Sequence, residues 1–499
     1  MDPFKSKGIN FFDMNPRYGY IEFLISFTGD FTMASTDLSL MAHLMRRAGF
    51  GASRTELKER SRQGYEATVE ELLHPEDQLP VDMYELLRYQ PWAWKPGTIY
   101  GMGHASWTYR MLNTKAPLQE KMTLFWHGIF ATGVSKVDHW DEIIDLVDML
   151  RDKGLGSFKE MLVEVAKNPA MIYWLDNNEN HASQVNENWG RELLELFSMG
   201  VGNYTETDVR ECSRAFTGWT MAPKLPRFPM GRFDWFFEYR EDDHDEGEKS
   251  FLGHKDNLNG LEVIQIICDQ PATLRFLARH LYNYFVADDA QVPAWSVTPP
   301  RDPKAIEILV EALADSGLDI RHVLRVLFNS DFFKEARFSK LKSPAEVVIG
   351  TLRLVDGSAF PGPGFGNLSR QAGYMGQEFL NPPSVEGWHT GTEWINSGSL
   401  MRRTNFFADT MGDDSRPGVN AMIEWLREQG DLSPEDFVDA CLDVMGPLEV
   451  NASTRKELIA HTNESGPIKW ESSSGNQASR ERITEIFQLI VSLRDYQFA

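Results

Sequence analysis

Residues 186–209 read NENWGRELLELFSMGVGNYTETDV, and this stretch decides the fold class. At 100° per residue, Leu193 and Phe197 fall on the same helix face as Trp189, which predicts an amphipathic helix. The helical pattern stops at a glycine, and TETD at residues 205–208 then fits the capping box that opens another helix. A helix, a stop and a second capped helix in one short stretch indicate an α-helical protein.

Helical periodicity also dominates the rest of the chain, with one exception. RFDWFFEY at residues 232–239 is aromatic and extended in character, and residues 249–252 could pair with it across the acidic turn EDDHDEGE. We therefore expect one large all-α domain over residues 38–499, or the same helices in two lobes, with a β-hairpin inserted at about residues 230–253. Residues 1–37 read as a poorly ordered N-terminal extension or an upstream start.

Composition limits the kinds of partner. Hydrophobic residues make up 42% and charged residues 25% of the 499 residues, which is typical of a soluble globular protein. The net charge of −23 argues against nucleic acid, because phosphate binding needs clustered lysine and arginine. No apolar run approaches the length of a membrane span, and no export signal is visible, so we expect a cytoplasmic protein without a membrane span.

Glu120 and His127 form the first candidate site. They lie seven residues apart in a predicted helix, on one face and opposite its apolar stripe. If that face meets solvent, His127 is an ordinary surface imidazole. If it meets the helix that carries Glu192, a histidine among carboxylates would suit a divalent metal or general acid–base catalysis. Glu120 and Glu192 would then be metal ligands, and His127 a third ligand or a proton shuttle.

Five further residues are candidates for substrate binding. Asn188 lies at the edge of the apolar stripe in the helix described first. His244 and Asp245 belong to the acidic turn, which could face a substrate, bind a cation or simply be solvated. Trp388 and Arg402 lie in GWHTGTEWINSGSLMRR, where tryptophan and arginine could bind a sugar or an anion, or fill a core.

Several segments together resemble the bacterial domain-of-unknown-function family 1800. They include HLMRRAGFGAS from His43, EKMTLFWHGIFATG from Glu120, the 186–209 stretch, and NPPSVEGWHTGTEWINSGSLMRRTNF from Asn381. The resemblance implies no activity, but it implies a partner from a second family related to sulfatases and alkaline phosphatases. The family motif usually has a second histidine two positions after its first, where this chain has Ile129, so a two-histidine site is not expected here.

Two functions of different class follow from the sequence. The first is a metal-assisted hydrolase with a carboxylate and histidine centre. The second is a non-catalytic accessory or scaffold protein that acts with the sulfatase- or phosphatase-like partner. The sequence has no GxSxG, no phosphate-binding GxxxxGKS, no HExxH and no CxxC motif. The sequence alone therefore does not assign an activity.

Overall fold

A computed structural model of the chain describes residues 36–90, 102–224, 233–290, 292–356, 365–470 and 473–499. The expected N-terminal extension lies almost wholly outside these residues, and the first helix begins at Thr36.

The described chain is mainly α-helical, with four short strands. The helices are, in chain order, α1 (Thr36–Arg47), α2 (Arg54–Gln63), α3 (Tyr65–Leu73), α4 (Tyr84–Tyr89), α5 (Met102–Asn113), α6 (Pro117–Ile129), α7 (Val134–Val137), α8 (Trp140–Lys153), α9 (Phe158–Lys167), α10 (Pro169–Trp174), α11 (Asn188–Glu195), α12 (Glu206–Ala215), α13 (Gly260–Cys268), α14 (Pro271–Phe285), α15 (Pro303–Ser316), α16 (Ile320–Asn329), α17 (Asp331–Lys334), α18 (Pro344–Asp356), α19 (Phe365–Leu368), α20 (Gln371–Tyr374), α21 (Ser397–Met411), α22 (Pro417–Glu428), α23 (Pro434–Val444), α24 (Ala452–Ser465) and α25 (Ser473–Ser492). The strands are β1 (Trp219–Pro223), β2 (Trp235–Tyr239), β3 (Lys249–Phe251) and β4 (His254–Asp256).

The stretch that decided the fold class forms α11 and α12 as predicted. The Thr205 side chain accepts from the Asp208 N–H, and the Asp208 carboxylate accepts from the Thr205 N–H, so the capping box is present. The two helices pack closely at Gly190, where an added Cβ would lie 2.2 Å from Ser213 Oγ. A larger residue at Gly190 would therefore force α11 and α12 apart.

The strands form two small antiparallel sheets, and their pairing differs from the prediction. β2 pairs with β1, and β3 pairs with β4. The expected pairing of β3 with β2 is therefore wrong. Leu252 and Gly253 both have positive φ, 47° and 86°, so they form the tight turn that joins β3 directly to β4. The predicted all-α class with a small β insertion is confirmed.

Buried apolar residues fall into two clusters, and α6 contributes to both. Phe125 and Trp126 belong to the first cluster, whereas Leu124 belongs to the second. Nearly every residue of α6 is buried as a consequence. Among the helices in the described segments, none is long and apolar enough to span a bilayer.

Candidate functional site

The polar face of α6 is covered by protein. Glu120 is 2% exposed and His127 is fully buried, so the interpretation of His127 as a surface imidazole is wrong. The contact that brings α6 near the end of α11 is apolar, since the Phe130 and Phe197 rings lie 5.5 Å apart. The polar face of α6 instead points toward α5, α8 and the loop that carries Trp388.

Both carboxylate oxygens of Glu120 are engaged in hydrogen bonds. Arg151 Nε donates to Oε1 across 2.8 Å, and Trp107 Nε1 donates to Oε2 across 2.9 Å. Such pairing offsets the large free-energy cost of burying a carboxylate. Glu120 is therefore held in a structural ion pair.

His127 is packed between two indoles. Its ring centroid lies 5.8 Å from that of Trp107 and 5.2 Å from that of Trp388, each in an edge-on arrangement. Both ring nitrogens are buried without a hydrogen-bond partner. Burial lowers the pKa of His127 to about 3, so the imidazole is neutral at physiological pH. Its surroundings are those of an aromatic core residue.

Glu192 is the candidate whose surroundings suit proton transfer. It is half-buried on α11, one turn before Leu196, which lines the cleft described below. Burial raises its pKa to about 7, and the charges of Glu195 and Glu386 act in the same direction.

The three residues predicted to bind metal do not form a centre. In the part of the chain that the structure describes, no three histidine, cysteine or acidic side chains are arranged to hold a metal ion. This corrects the predicted set of Glu120, His127 and Glu192. The physical reason is that the polar face of α6 is covered by Trp107 and Arg151 rather than by the polar face of α11.

His244 and Asp245 tie the acidic segment to the protein body. His244 is buried, and its Nδ1 lies 2.8 Å from the Thr217 carbonyl oxygen. Asp245 accepts from Arg214 Nε at 2.7 Å and from Nη2 at 3.1 Å. The hydrogen bond and charge of Arg214 lower the pKa of Asp245. These contacts provide partners within the protein for both side chains, so neither side chain needs a ligand.

Asn188 and Arg402 are exposed, and neither lines the cleft described next. Asn188 Nδ2 donates to Asp176 Oδ2 across 3.2 Å. The Arg402 guanidinium lies 5.7 Å from the centroid of the Tyr374 ring. Their predicted role in substrate binding has no support from these contacts.

A cleft of about 560 Å³ lies between α6, α14, residues 340–346 and the loop of residues 383–394. Of the predicted site residues, Trp388 lines this cleft. Its indole Nε1 and the Nε2 of His280, another lining residue, are buried without a hydrogen-bond partner. Each nitrogen is sealed from solvent, so a ligand in the cleft can supply the missing hydrogen bond when the ring turns toward it.

The charged groups on the inner wall of this cleft are paired. Lys340 Nζ lies 2.9 Å from Asp288 Oδ1. The Glu346 carboxylate forms a buried ion pair with Lys121. Burial, with the Arg279 charge, lowers the pKa of His280 to about 3, so this imidazole is neutral. Two further lining carboxylates, Glu386 and Glu393, are exposed, so the buried part of the lining is polar and carries little net charge.

Sequence reasoning missed His280, which lines the cleft, and it noted Trp394 in the tryptophan-rich motif without choosing it as a site residue, although Trp394 lines the cleft too. A useful signal was present for Trp394, because it belongs to the same motif as Trp388. No local pattern marks His280, which lies within an ordinary amphipathic helix. Ile129 also lines the cleft, and it makes this part of the wall apolar.

These features define a mainly α-helical protein with a tryptophan-lined cleft. A family model described as protein of unknown function (DUF1800) matches residues 43–498, and the chain belongs to this family. No curated protein and no solved structure matches the chain.

Proposed function

We propose that the protein is a non-catalytic accessory protein whose cleft binds an uncharged, polyhydroxylated small molecule, such as a saccharide. The observation that carries this proposal is that two lining residues of the cleft, Trp388 and His280, each have a buried ring nitrogen without a hydrogen-bond partner. The cleft volume of about 560 Å³ is within the range typical of small-molecule sites.

The chemistry of the wall supports this ligand class. Apolar surface from Phe125, Ile129 and Trp394 suits the C–H groups of a sugar ring. The indole N–H of Trp388 can donate to a hydroxyl, and the neutral imidazole of His280 can donate or accept. Because the inner charges are already paired, a neutral ligand gains hydrogen bonds without leaving a buried charge uncompensated.

A saccharide array followed by calorimetric titration tests the proposal. Trp388→Phe keeps an aromatic ring but removes the N–H donor, so it is expected to weaken binding about tenfold, the loss of one hydrogen bond. Trp470→Phe is the matched control, because Trp470 also has a buried, unpartnered Nε1 but does not line the cleft. Absence of binding to any saccharide, or equal binding by both variants, would contradict the proposal.

Glu192 favours a second candidate, a metal-independent hydrolase. A carboxyl group with a pKa of about 7 is suited to act as a general acid, and the nearby Glu386 lines the cleft. In this case Glu192→Gln is expected to abolish cleavage of nitrophenyl glycosides while ligand binding persists, and chelators are expected to have no effect. Glu187→Gln, an exposed change at the N-cap of the same helix, serves as the control.

The partner related to sulfatases and alkaline phosphatases remains part of the accessory proposal. Phe236 on β2 is 46% exposed and Tyr239 is 40% exposed, which gives the β1–β2 hairpin an apolar surface suited to docking. Co-purification of such a partner with the wild-type chain but not with Phe236→Ser would support this role.

A further inference from the structure

Strand β2 has an outer edge that no other strand covers. In the part of the chain that the structure describes, β2 pairs only with β1, in a sheet of two strands. Lys224 N–H donates to the Asp234 carbonyl at 2.7 Å, and Arg240 N–H donates to the Gly218 carbonyl at 2.8 Å. Because hydrogen-bonded and non-hydrogen-bonded pairs alternate along an antiparallel ladder, these two bonds fix which backbone groups of β2 point toward β1.

Trp235, Phe237 and Tyr239 belong to the non-hydrogen-bonded pairs, so their backbone groups point away from β1. Trp235 N–H accordingly donates to the Glu142 carboxylate outside the sheet. Among the described residues, no backbone group of Phe237 or Tyr239 has such a partner. An open strand edge of this kind is a template on which an extended peptide can add another strand.

The side chains near this edge present apolar surface. Phe236 and Tyr239 are exposed, as is Leu261 at the start of α13. Tyr239 is held in place, because its hydroxyl accepts from Asn259 Nδ2 at 3.1 Å and its ring centroid lies 5.7 Å from that of His244. An anchored aromatic side chain that is open to solvent is typical of residues that contribute to protein–protein interfaces.

The surroundings of Tyr239 are strongly acidic. Residues 238–248 contain seven acidic side chains and one arginine. Tyr239 lines a shallow depression together with Glu238, Arg240, Glu241, Asp242 and Glu246. Arg240 is paired with Glu238 at 2.9 Å, which leaves the other three carboxylates of the depression without an ion pair in the described segments.

These carboxylates act on Tyr239 itself. Partial burial raises the pKa of Tyr239, and the charges of Glu246 and Glu241 act in the same direction. Several carboxylates without a paired cation therefore surround one aromatic side chain. A guanidinium group is complementary to both features, because it stacks on an aromatic ring and donates to carboxylate oxygens in a planar fork.

We propose that the outer edge of β2 docks an extended, arginine-containing segment of a partner protein. The segment adds to the sheet as a third strand along Phe237 and Tyr239, and its arginine lies against the Tyr239 ring, where Glu241 and Asp242 pair with it. This inference rests on the accessory role proposed above, and it specifies the chemistry of the partner's docking segment.

A fluorescein-labelled peptide of alternating valine and arginine, titrated with the full chain and followed by fluorescence anisotropy, tests the docking site. The same peptide with citrulline in place of arginine loses the charge and should bind about tenfold more weakly. Glu241→Gln/Asp242→Asn should weaken binding of the arginine peptide about fivefold. Glu311→Gln/Asp315→Asn is the matched control, because it removes two exposed charges from α15, and it should change the dissociation constant less than about twofold.

Two N-methylated forms of the arginine peptide test the strand pairing. Methylation at alternate positions removes the N–H donors from one edge of the peptide and leaves the other edge intact. One form should therefore bind about tenfold more weakly, and the other within about threefold of the unmodified peptide. Equal binding of the arginine and citrulline peptides, equal losses in the two double variants, or equal binding of the two methylated forms would overturn the proposal.

A saccharide titration of the same preparations separates this inference from the proposed function. Saccharide binding in the cleft without any preference for the arginine peptide overturns the docking site alone. Absence of binding to every saccharide overturns the proposed function of the cleft, whatever the peptides do.

Discussion

Arg151 and Glu120 form an ion pair inside the protein, with Arg151 Nε donating to Glu120 Oε1 across 2.8 Å. Trp107 Nε1 donates a hydrogen bond to the other carboxylate oxygen of Glu120. The pair joins α6 to α8 at a place where an unpaired carboxylate would be strongly destabilising. The polar face of α6 therefore stabilises the fold through this pair.

Removal of the Glu120 charge should be costly. Glu120→Gln leaves the buried Arg151 guanidinium with only the partly exposed Asp148 as a counter-ion, and we expect a loss of about 3 kcal/mol in the free energy of unfolding. Urea denaturation measures this loss. Glu187→Gln is the matched control, since its ion pair with Arg191 is exposed and should contribute less than about 0.5 kcal/mol. Similar losses in both variants would show that the buried pair has no special role.

Removal of both charges should restore much of this stability. In Glu120→Gln/Arg151→Met, the glutamine can still accept from Trp107, and no uncompensated charge remains buried. We expect the double variant to unfold at a higher urea concentration than Glu120→Gln alone. A double variant less stable than the single one would mean that Arg151 acts independently of Glu120.

His127 should tolerate replacement by an aromatic residue. His127→Phe removes two buried, unpartnered nitrogens and keeps a ring between Trp107 and Trp388. The free energy of unfolding should therefore change by less than about 1.5 kcal/mol. Urea denaturation measures this change, and NMR of labelled histidine should show no titration of His127 between pH 5 and 8. A loss above about 3 kcal/mol, or titration in that range, would argue for a polar role.

Periodicity predicted the helices well, because each helix carries its own apolar stripe and often its own cap, as with Thr205 and Asp208. It could not predict what covers the other face of a helix. For α6 the covering residues are Trp107 and Arg151, and nothing in the spacing of Glu120 and His127 indicates them.

The strand pairing was predicted wrongly for a related reason. Aromatic composition identified β2 as extended, but the choice of its partner depends on the turns. The positive φ of Leu252, a residue that seldom adopts it, closes the β3–β4 turn and is not evident from sequence. In the cleft, Trp388 was predictable from a tryptophan-rich motif, whereas His280 meets it only through tertiary packing.

Glu142 should make stability depend on pH. Burial raises its pKa to about 7, helped by Asp145 and Asp234 and opposed by the hydrogen bond from the Trp235 N–H. Its ordinary pKa is about 4.5, so the folded state binds more protons between pH 4.5 and 7. The contribution of Glu142 to stability is then present below about pH 4.5 and is lost as pH rises to about 7.

Glu142→Gln removes this titration and can still accept from Trp235. We expect the variant to be more stable than the wild type at pH 8, by about 1–3 kcal/mol, and the difference to shrink toward pH 4.5. Urea denaturation across this pH range tests the sign of the stability difference between the variant and the wild type. A variant that is less stable than the wild type at pH 8 would show that Glu142 is ionised at little cost in the folded protein.

We propose that the tryptophan-lined cleft, and not the polar face of α6, binds the ligand. The most direct test is the dissociation constant of a bound saccharide, measured for Trp388→Phe and for Glu120→Gln/Arg151→Met. We expect the first variant to bind about tenfold more weakly than the wild type, by loss of one hydrogen bond, and the second to bind within about twofold of it. Unchanged binding by Trp388→Phe, with binding lost in the double variant, would contradict the claim.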